Sequence, residues 1–409
     1  MTEALAIAGG TPTLSSPLTP RTPFPPEALD LITEAVGSGV LFGPTGPLTQ
    51  RFEGEFAELT RTAHAVTVSS GTAAVHTAIA ALDPAPGSEV ITAPITDAGS
   101  VAPLLFQGCV PRFADVDEHL SMTVESVRSL INDRTAAILA VHPFGGACDA
   151  PALRELADGA GIALIEDCSQ AYGTTIDGRH VGSFGSIGVF SLQQSKHITA
   201  GEGGVCVTSD PGLDNRMRLF RDKGWDRSTS GARSYPSLGL NYRASELVAA
   251  LAIPQLPILG GRITVRRRHA ATLDSGVTQI RGLKPWTPAP RVHASYWAYP
   301  FMVEGGRRDE WAAALLAEGV PTSPGYTGAE IHQCMAALHE AGTFGGTRYP
   351  LDLVEPAATY SSDLTPSARA MLEKLLVFWL HEDLPDEQVA LVAAALRKVG
   401  AALLPPSTH

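Results

Sequence analysis

The chain has 409 residues, 44% of them hydrophobic, and a formal net charge of −12 with no basic block to offset it. That is enough apolar material for a large core and two domains, and the charge argues against an extended nucleic-acid surface. No apolar stretch is long enough to span a bilayer, Met1-Thr-Glu-Ala-Leu5 lacks the basic start and apolar core of a signal peptide, and the five scattered cysteines include no C-x-x-C pair. A cytoplasmic protein without membrane partner, disulfide framework or zinc site is therefore expected, with most cysteines packed in the core.

Short apolar runs alternate with helical patterns along the first two thirds of the chain, the signature of an α/β protein built on an open, largely parallel sheet. The predicted strands are Ala65–Val68, Glu89–Thr92, Pro111–Ala114, Ala136–Val141, Ile162–Glu166, Ile187–Ser191 and Gly204–Thr208. Several are uniformly apolar, as strands covered on both faces should be. Helices are predicted over Gly71–Leu82, Ala150–Ala160 and near Asp214–Asp222. With its N-terminal arm this large domain is expected to span residues 1–275, and a basic helix around Arg262–His269 near its end is expected to be solvated. The pattern then changes to a strand at Tyr296–Val303, a helix at Arg308–Glu318 and a terminal helix at Pro385–Val399. A smaller C-terminal α+β domain over 276–409 follows.

Three places carry chemistry. Lys196 sits in Phe190-Ser-Leu-Gln-Gln-Ser-Lys196, between an apolar strand and the turn Gly201-Glu-Gly-Gly204. Asp167 follows the buried run Gly161–Ile165, and Ser69-Ser-Gly-Thr-Ala-Ala74 offers small residues and backbone N–H groups at the first turn of a helix, where an anion binds. Each has an ordinary reading by itself: a polar-turn lysine, a strand-end cap or ion pair, an N-cap. Together they suggest pyridoxal phosphate. That cofactor needs an amine for its imine, an anion against its pyridinium nitrogen and a phosphate cradle, to which Thr72, Ala73 and Ser191 are the candidate contributors. Partial burial would lower the Lys196 pKa and make it a nucleophile and then a base.

Four blocks in this order resemble the DegT/DnrJ/StrS family of fold-type I aminotransferases, which act on sugars and cyclitols: Ser70–Ala74, Glu166–Gly173, Phe190–Lys196 with Gly201–Gly204, and Gly239-Leu-Asn-Tyr-Arg-Ala-Ser-Glu246. The resemblance implies an aspartate aminotransferase-like fold: a mainly parallel seven-stranded sheet flanked by helices, plus the small C-terminal domain. It implies that Lys196 carries the cofactor as an imine, Asp167 pairs with the pyridine nitrogen, Gln170 supports the ring oxygen, and Thr72, Ala73 and Ser191 bind phosphate. Asn241 would complete the phosphate site from the neighbouring subunit of a homodimer. His142 and Phe144 match the family's loop beside the cofactor. Asp97 stands where many members place an aromatic that stacks on the pyridine ring, so the stacking residue is unassigned. Asp97, His142, Tyr326 and His332 are the candidate substrate contacts, with Arg227 and Arg233 on a further loop, Trp225–Tyr235.

Leu5–Pro12 and Gln193–Lys196 resemble the branch that holds cyclitol aminotransferases of aminoglycoside pathways and 3-amino-5-hydroxybenzoate synthases. The implied reaction moves an amino group from L-glutamine or L-glutamate to a keto-sugar or keto-cyclitol by ping-pong kinetics, in aminoglycoside or other secondary-metabolite biosynthesis. Three alternatives stay in view: a dehydrating and aromatising synthase, a sugar dehydratase, and a non-catalytic regulator that binds the cofactor. The dehydratase branch replaces the lysine by histidine, whereas here Lys196 is present.

Overall fold

The computed structural model describes residues 4–228, 232–340 and 342–403. All the strands predicted for the large sheet form, each within one residue of the expected bounds. Their order across the seven-stranded sheet is His64–Val68, Gly204–Thr208, Ile187–Ser191, Ala163–Asp167, Thr135–Val141, Glu89–Thr92 and Val110–Phe113. Gly204–Thr208 runs antiparallel to both neighbours, and the remaining pairs are parallel. The central strands are buried throughout, which is why they read as unbroken apolar runs. In such a sheet ligands bind beyond the carboxyl ends of the strands. Asp167 and Ser191 are the last residues of two adjacent parallel strands, so the topology alone brings them together.

The second sheet is antiparallel, in the order Leu283–Pro285, Tyr299–Val303, Leu375–Phe378, Thr322–Pro324. Its strand Tyr299–Val303 starts later than expected because Tyr296 takes a left-handed turn (φ +50°). Helices Arg308–Ala317 and Asp386–Leu403 supply Trp311, Leu315, Val389 and Leu396 to its core. Helix Leu259–Val277 joins the two regions: Leu259 and Ile263 pack into the core of the large sheet, and Leu273 and Val277 into that of the small one. The expected boundary at 275/276 falls in its last turn. Among the described residues no single helix is long and apolar enough to cross a membrane. Cys109, Cys148, Cys168 and Cys206 are buried and Cys334 is exposed, all as free thiols.

The expectation of a solvated basic helix at Arg262–His269 is corrected. Arg266 and His269 are each 1% exposed. The Arg266 guanidinium pairs with Glu382 at 2.6 Å and donates to the carbonyls of Tyr296, Trp297 and Leu380 at 2.9–3.1 Å. A planar fork of donors is satisfied by these acceptors, so the charge can be buried. Arg21 and Arg262 complete the cluster on the same carboxylate, at 2.9 and 3.5 Å. Burial opposes ionisation of Glu382, but Arg266 and Arg21 prevail and hold its pKa at about 2.

Because the folded-state pKa lies below the ordinary carboxyl value, the stability this cluster contributes is present above about pH 4.5 and is lost as the pH falls towards 2. Glu382→Gln should cost about 3 kcal/mol at pH 7 by leaving buried arginines uncompensated. The deficit relative to wild type, read from urea unfolding, should shrink as the pH is lowered below 4.5.

Candidate active site

A cavity of about 680 Å³ opens at the carboxyl ends of the parallel strands, and Thr72, Asp97, Asp167, Gln170, Ser191 and Lys196 line it. Its phosphate side is the start of helix Gly71–Leu82. Ser70 caps that helix by accepting the Ala73 N–H at 3.0 Å, so the Gly71 and Thr72 N–H groups are left at the first turn without an intrahelical acceptor. Gly71 lies so close to Ser191 that a Cβ there would come within 2.6 Å of the serine Cβ and 2.8 Å of its Oγ. The helix start and the Ser191 hydroxyl thus form one small, neutral, donor-rich cradle suited to a phosphate.

Asp167 is 5% exposed. Its Oδ2 accepts from Ser100 Oγ at 2.7 Å and its Oδ1 from the Ser169 N–H at 3.0 Å, which fixes the carboxylate in one orientation. Gln170 accepts the Phe144 N–H at 2.8 Å and donates its amide nitrogen to the Tyr326 hydroxyl at 3.0 Å. Both Phe144 and Tyr326 sit at positive φ (+54° and +58°), where the chain turns sharply to aim them inwards. Burial, reinforced by Asp97, pushes the Tyr326 hydroxyl pKa up, so it stays protonated.

Lys196 is half-buried with its Nζ 4.1 Å from the centre of the Trp297 ring. Burial lowers its pKa to about 8, against the opposing pull of Asp167 and Asp97. The Trp297 indole N–H donates to the Ser195 carbonyl at 2.9 Å, and Arg21 donates to the Lys196 and His197 carbonyls at 2.6 and 2.9 Å. The lysine loop is held by its backbone while the amine faces the cavity. An amine with lowered pKa, an oriented carboxylate and a neutral phosphate cradle are the donor set that pyridoxal phosphate requires, and these residues fit it.

Asp97 lines the cavity and caps helix Ala98–Phe106 by accepting the Gly99 N–H at 2.8 Å. The other predicted residues lie elsewhere. The Ala73 N–H is taken up by Ser70. His142 is fully buried, and its placement among the substrate contacts is corrected: Nδ1 accepts the Cys148 N–H at 3.1 Å and Nε2 faces Glu166 at 3.2 Å, so neither nitrogen is presented to the cavity. His332 is corrected likewise, being fully buried against Phe113, with a pKa that burial drives down to about 4. Asn241 is exposed and outside this chain's cavity. Arg227 and Arg233 stack on Trp225, also outside it; residues 229–231 of their loop lie outside the described residues.

Sequence reasoning missed Trp297 and Trp379, which line the cavity, and Ser100, which orients Asp167. Trp297 was visible only as part of a strand run. It also missed Glu166, whose carboxylate accepts from the Gly182, Phe184 and Gly185 N–H groups at 2.6–2.8 Å.

This lysine, carboxylate and cradle at the strand ends define a fold-type I pyridoxal-phosphate enzyme. The chain belongs to the DegT/DnrJ/EryC1/StrS aminotransferase family, whose profile matches residues 26–397, and it is a pyridoxal-phosphate-dependent transaminase. It is 35% identical over 349 residues to the L-glutamine:2-deoxy-scyllo-inosose aminotransferase of Streptomyces kanamyceticus, covering 79% of this chain and 80% of that protein. It is 33% identical over 349 residues to the UDP-N-acetyl-3-dehydro-alpha-D-glucosamine 3-aminotransferase of Acidithiobacillus ferrooxidans, covering 85% and 87%. The crystal structure of a 3-amino-5-hydroxybenzoic acid synthase superposes with a TM-score of 0.84 at 25% identity, covering 95% of this chain and all of that one.

Only the neutral amine attacks an aldehyde. Covalent capture of pyridoxal phosphate by the cofactor-free protein should therefore accelerate as the pH rises to about 8 and level off above it, rather than continuing towards 10.5 as for a free lysine. Because Asp97 raises the lysine pKa, Asp97→Asn should move that break to lower pH. Stopped-flow absorbance across a pH series reads both.

Proposed function

We propose that this enzyme moves an amino group from L-glutamine or L-glutamate to the ketone of a keto-sugar or keto-cyclitol, in the cytoplasm, within aminoglycoside or other secondary-metabolite biosynthesis. The observation that carries the reading is the half-buried Lys196 amine, its pKa lowered to about 8, opening on the same cavity as Asp167. The names of the relatives, one acting on a cyclitol ketone and one on a nucleotide-linked keto-sugar, support the acceptor class.

Bound pyridoxal phosphate supplies an electron sink next to the amino nitrogen of the substrate. Asp167 would hold the proton on the pyridine nitrogen, with its own orientation set by Ser100 and Ser169. The neutral Lys196 amine would take the proton from the donor carbon and hold it for return, then run the same transfer backwards on the acceptor. Thr72, Ser191 and the helix start would retain the phosphate, and Gln170, fixed between Phe144 and Tyr326, would border the ring oxygen. We assign the cofactor-holding residues to a unit spanning 1–275 and the aromatic side of the cavity to a unit spanning 276–409.

The proposal includes a homodimer with shared sites. Phe42, Tyr235, Leu238 and Leu240 are exposed apolar side chains, Leu238 at 94%; the last three precede Asn241 in sequence, and Phe42 pairs with Ser245 just beyond it. Burying such a surface against a second copy would place each Asn241 at the partner's phosphate cradle.

A second reading, a 3-amino-5-hydroxybenzoate-type synthase, is favoured by the TM-score of 0.84 to such an enzyme. Incubation with a keto-cyclitol and glutamine separates the two: amino transfer gives an aminocyclitol, the synthase an aromatic product. The presence of Lys196 counts against a dehydratase, and turnover of any donor excludes a mere regulator.

Borohydride reduction and peptide mapping should tag Lys196, and a tag on Lys223 instead would refute the assignment. Lys196→Ala should abolish both half-reactions. Mixed 1:1 with Asn241→Asp subunits, it should recover about one quarter of wild-type activity, because half of random dimers carry one intact site. No recovery from mixed dimers shown to have formed would sink the shared-site arrangement.

A further inference from the structure

We infer that the acceptor is a free ring, carrying no phosphate or nucleotide, that lies by its C–H face on an aromatic wall and is sorted by two specificity-determining residues, Trp379 and Asp97. The inference rests on the amino transfer proposed above and narrows its acceptor.

Three aromatic rings line the cavity from the lysine outwards. Trp297 is 5% exposed beneath Lys196 Nζ. Trp379 meets it edge to face, with ring centres 5.1 Å apart at 80°, and Tyr326 does so at 6.1 Å and 85°. Trp379 is 39% exposed yet not free to swing, because its indole N–H donates to Ser323 Oγ at 2.9 Å. An immobilised indole lining a substrate cavity offers a flat apolar platform at little entropic cost. A polyol ring has a matching C–H face, and its hydroxyls remain at the edge for polar partners.

The charges of the cavity select against the usual handle on an activated sugar. Among the described residues that line it, Lys196 is the sole cation, whereas Asp97, Asp167 and Glu202 are acidic. The phosphate cradle at Gly71, Thr72 and Ser191 is committed to the cofactor. A diphosphate tail would meet Asp97 and Glu202, and among the described lining residues only Lys196 could offset them. Arg227, Arg233 and Arg243 lie over the rings of Phe42 or Trp225 outside this cavity, and Arg227 and Arg243 are paired to Asp222. Asp97 is pinned by the helix start, so its carboxylate is a fixed acceptor for ring hydroxyls.

The test compares a keto-inositol with a UDP-linked keto-sugar as acceptors for the aminated enzyme, in turnover and in equilibrium binding read by tryptophan fluorescence. The keto-inositol should be preferred at least about 100-fold in kcat/KM, a difference of about 2.7 kcal/mol. Trp379→Ala should raise the keto-inositol KM and dissociation constant about tenfold while changing kcat little, and Trp379→Phe should restore most of the affinity. Asp97→Asn should weaken keto-inositol binding and narrow the discrimination against the UDP-linked sugar. Thermal unfolding of each variant reports its folding. The inference is overturned if the UDP-linked sugar binds more tightly, or if folded Trp379→Ala keeps wild-type affinity for the keto-inositol. Conversion of the wild-type enzyme by glutamine or glutamate alone tests the amino-transfer reading separately, so the two can fail independently.

Discussion

The contact on which the active site depends lies beneath it, where Glu382 gathers Arg21, Arg262 and Arg266. Desolvating these charges costs several kcal/mol per ion, so the cluster is not an obvious source of stability by itself. Its return is positional. Once fixed by the carboxylate, the guanidiniums donate to the carbonyls of Lys196, His197, Tyr296 and Trp297. Those carbonyls belong to irregular backbone with no sheet ladder to satisfy them, and each would be costly to bury unpaired. The loop that presents the lysine and the loop that presents the tryptophan are thus tied to one anion, and the 4.1 Å approach of amine to indole follows from it.

A second carboxylate does comparable work on the other side. Glu166 and Asp167 are consecutive in a strand and therefore point to opposite faces. Asp167 faces the cavity. Glu166 faces inwards, collecting three backbone N–H groups of the 182–185 loop and the His142 ring. That loop leads directly into Ile187–Ser191, so Glu166 helps set where Ser191 ends up against Gly71. Two adjacent acids of the same chemistry are separated into framework and reactive group by the period of the strand alone.

This division explains what the sequence could disclose. Asp167, Ser191, Lys196 and Thr72 were legible because each sits at a junction of strand with turn or helix, and such junctions are written locally as an apolar run ending in small or polar residues. Glu382 and its arginines were not, since a run of arginines on a helix has the same pattern whether it meets water or a carboxylate 116 residues away. Trp297 and Trp379 failed for a related reason: a tryptophan beside a strand looks the same whether it fills a core or walls a cavity. His142 and His332 misled in the opposite direction. Histidine near a reactive motif invites a chemical role, but burial and internal partners had already claimed the first, and Phe113 packs against the second.

Asp97 acts on the electrostatics of the lysine and, in the proposal above, on the choice of substrate. Where the family resemblance leads one to expect a stacking aromatic, a carboxylate is anchored at a helix start instead. It cannot cover a pyridine ring, so in the arrangement proposed above cofactor retention would fall more heavily on the cradle and on Asp167; the cradle is tight, with no room for a Cβ on Gly71. The same carboxylate opposes the desolvation of Lys196, keeping the amine basic enough to accept a proton at neutral pH after burial has made it nucleophilic. Aromatic surface is present on the lysine side of the cavity, in Trp297 and Trp379. On the acceptor reading proposed above, stacking would be offered to the ring that enters next rather than to the cofactor, so Asp97 would bear at once on lysine basicity and on acceptor selection.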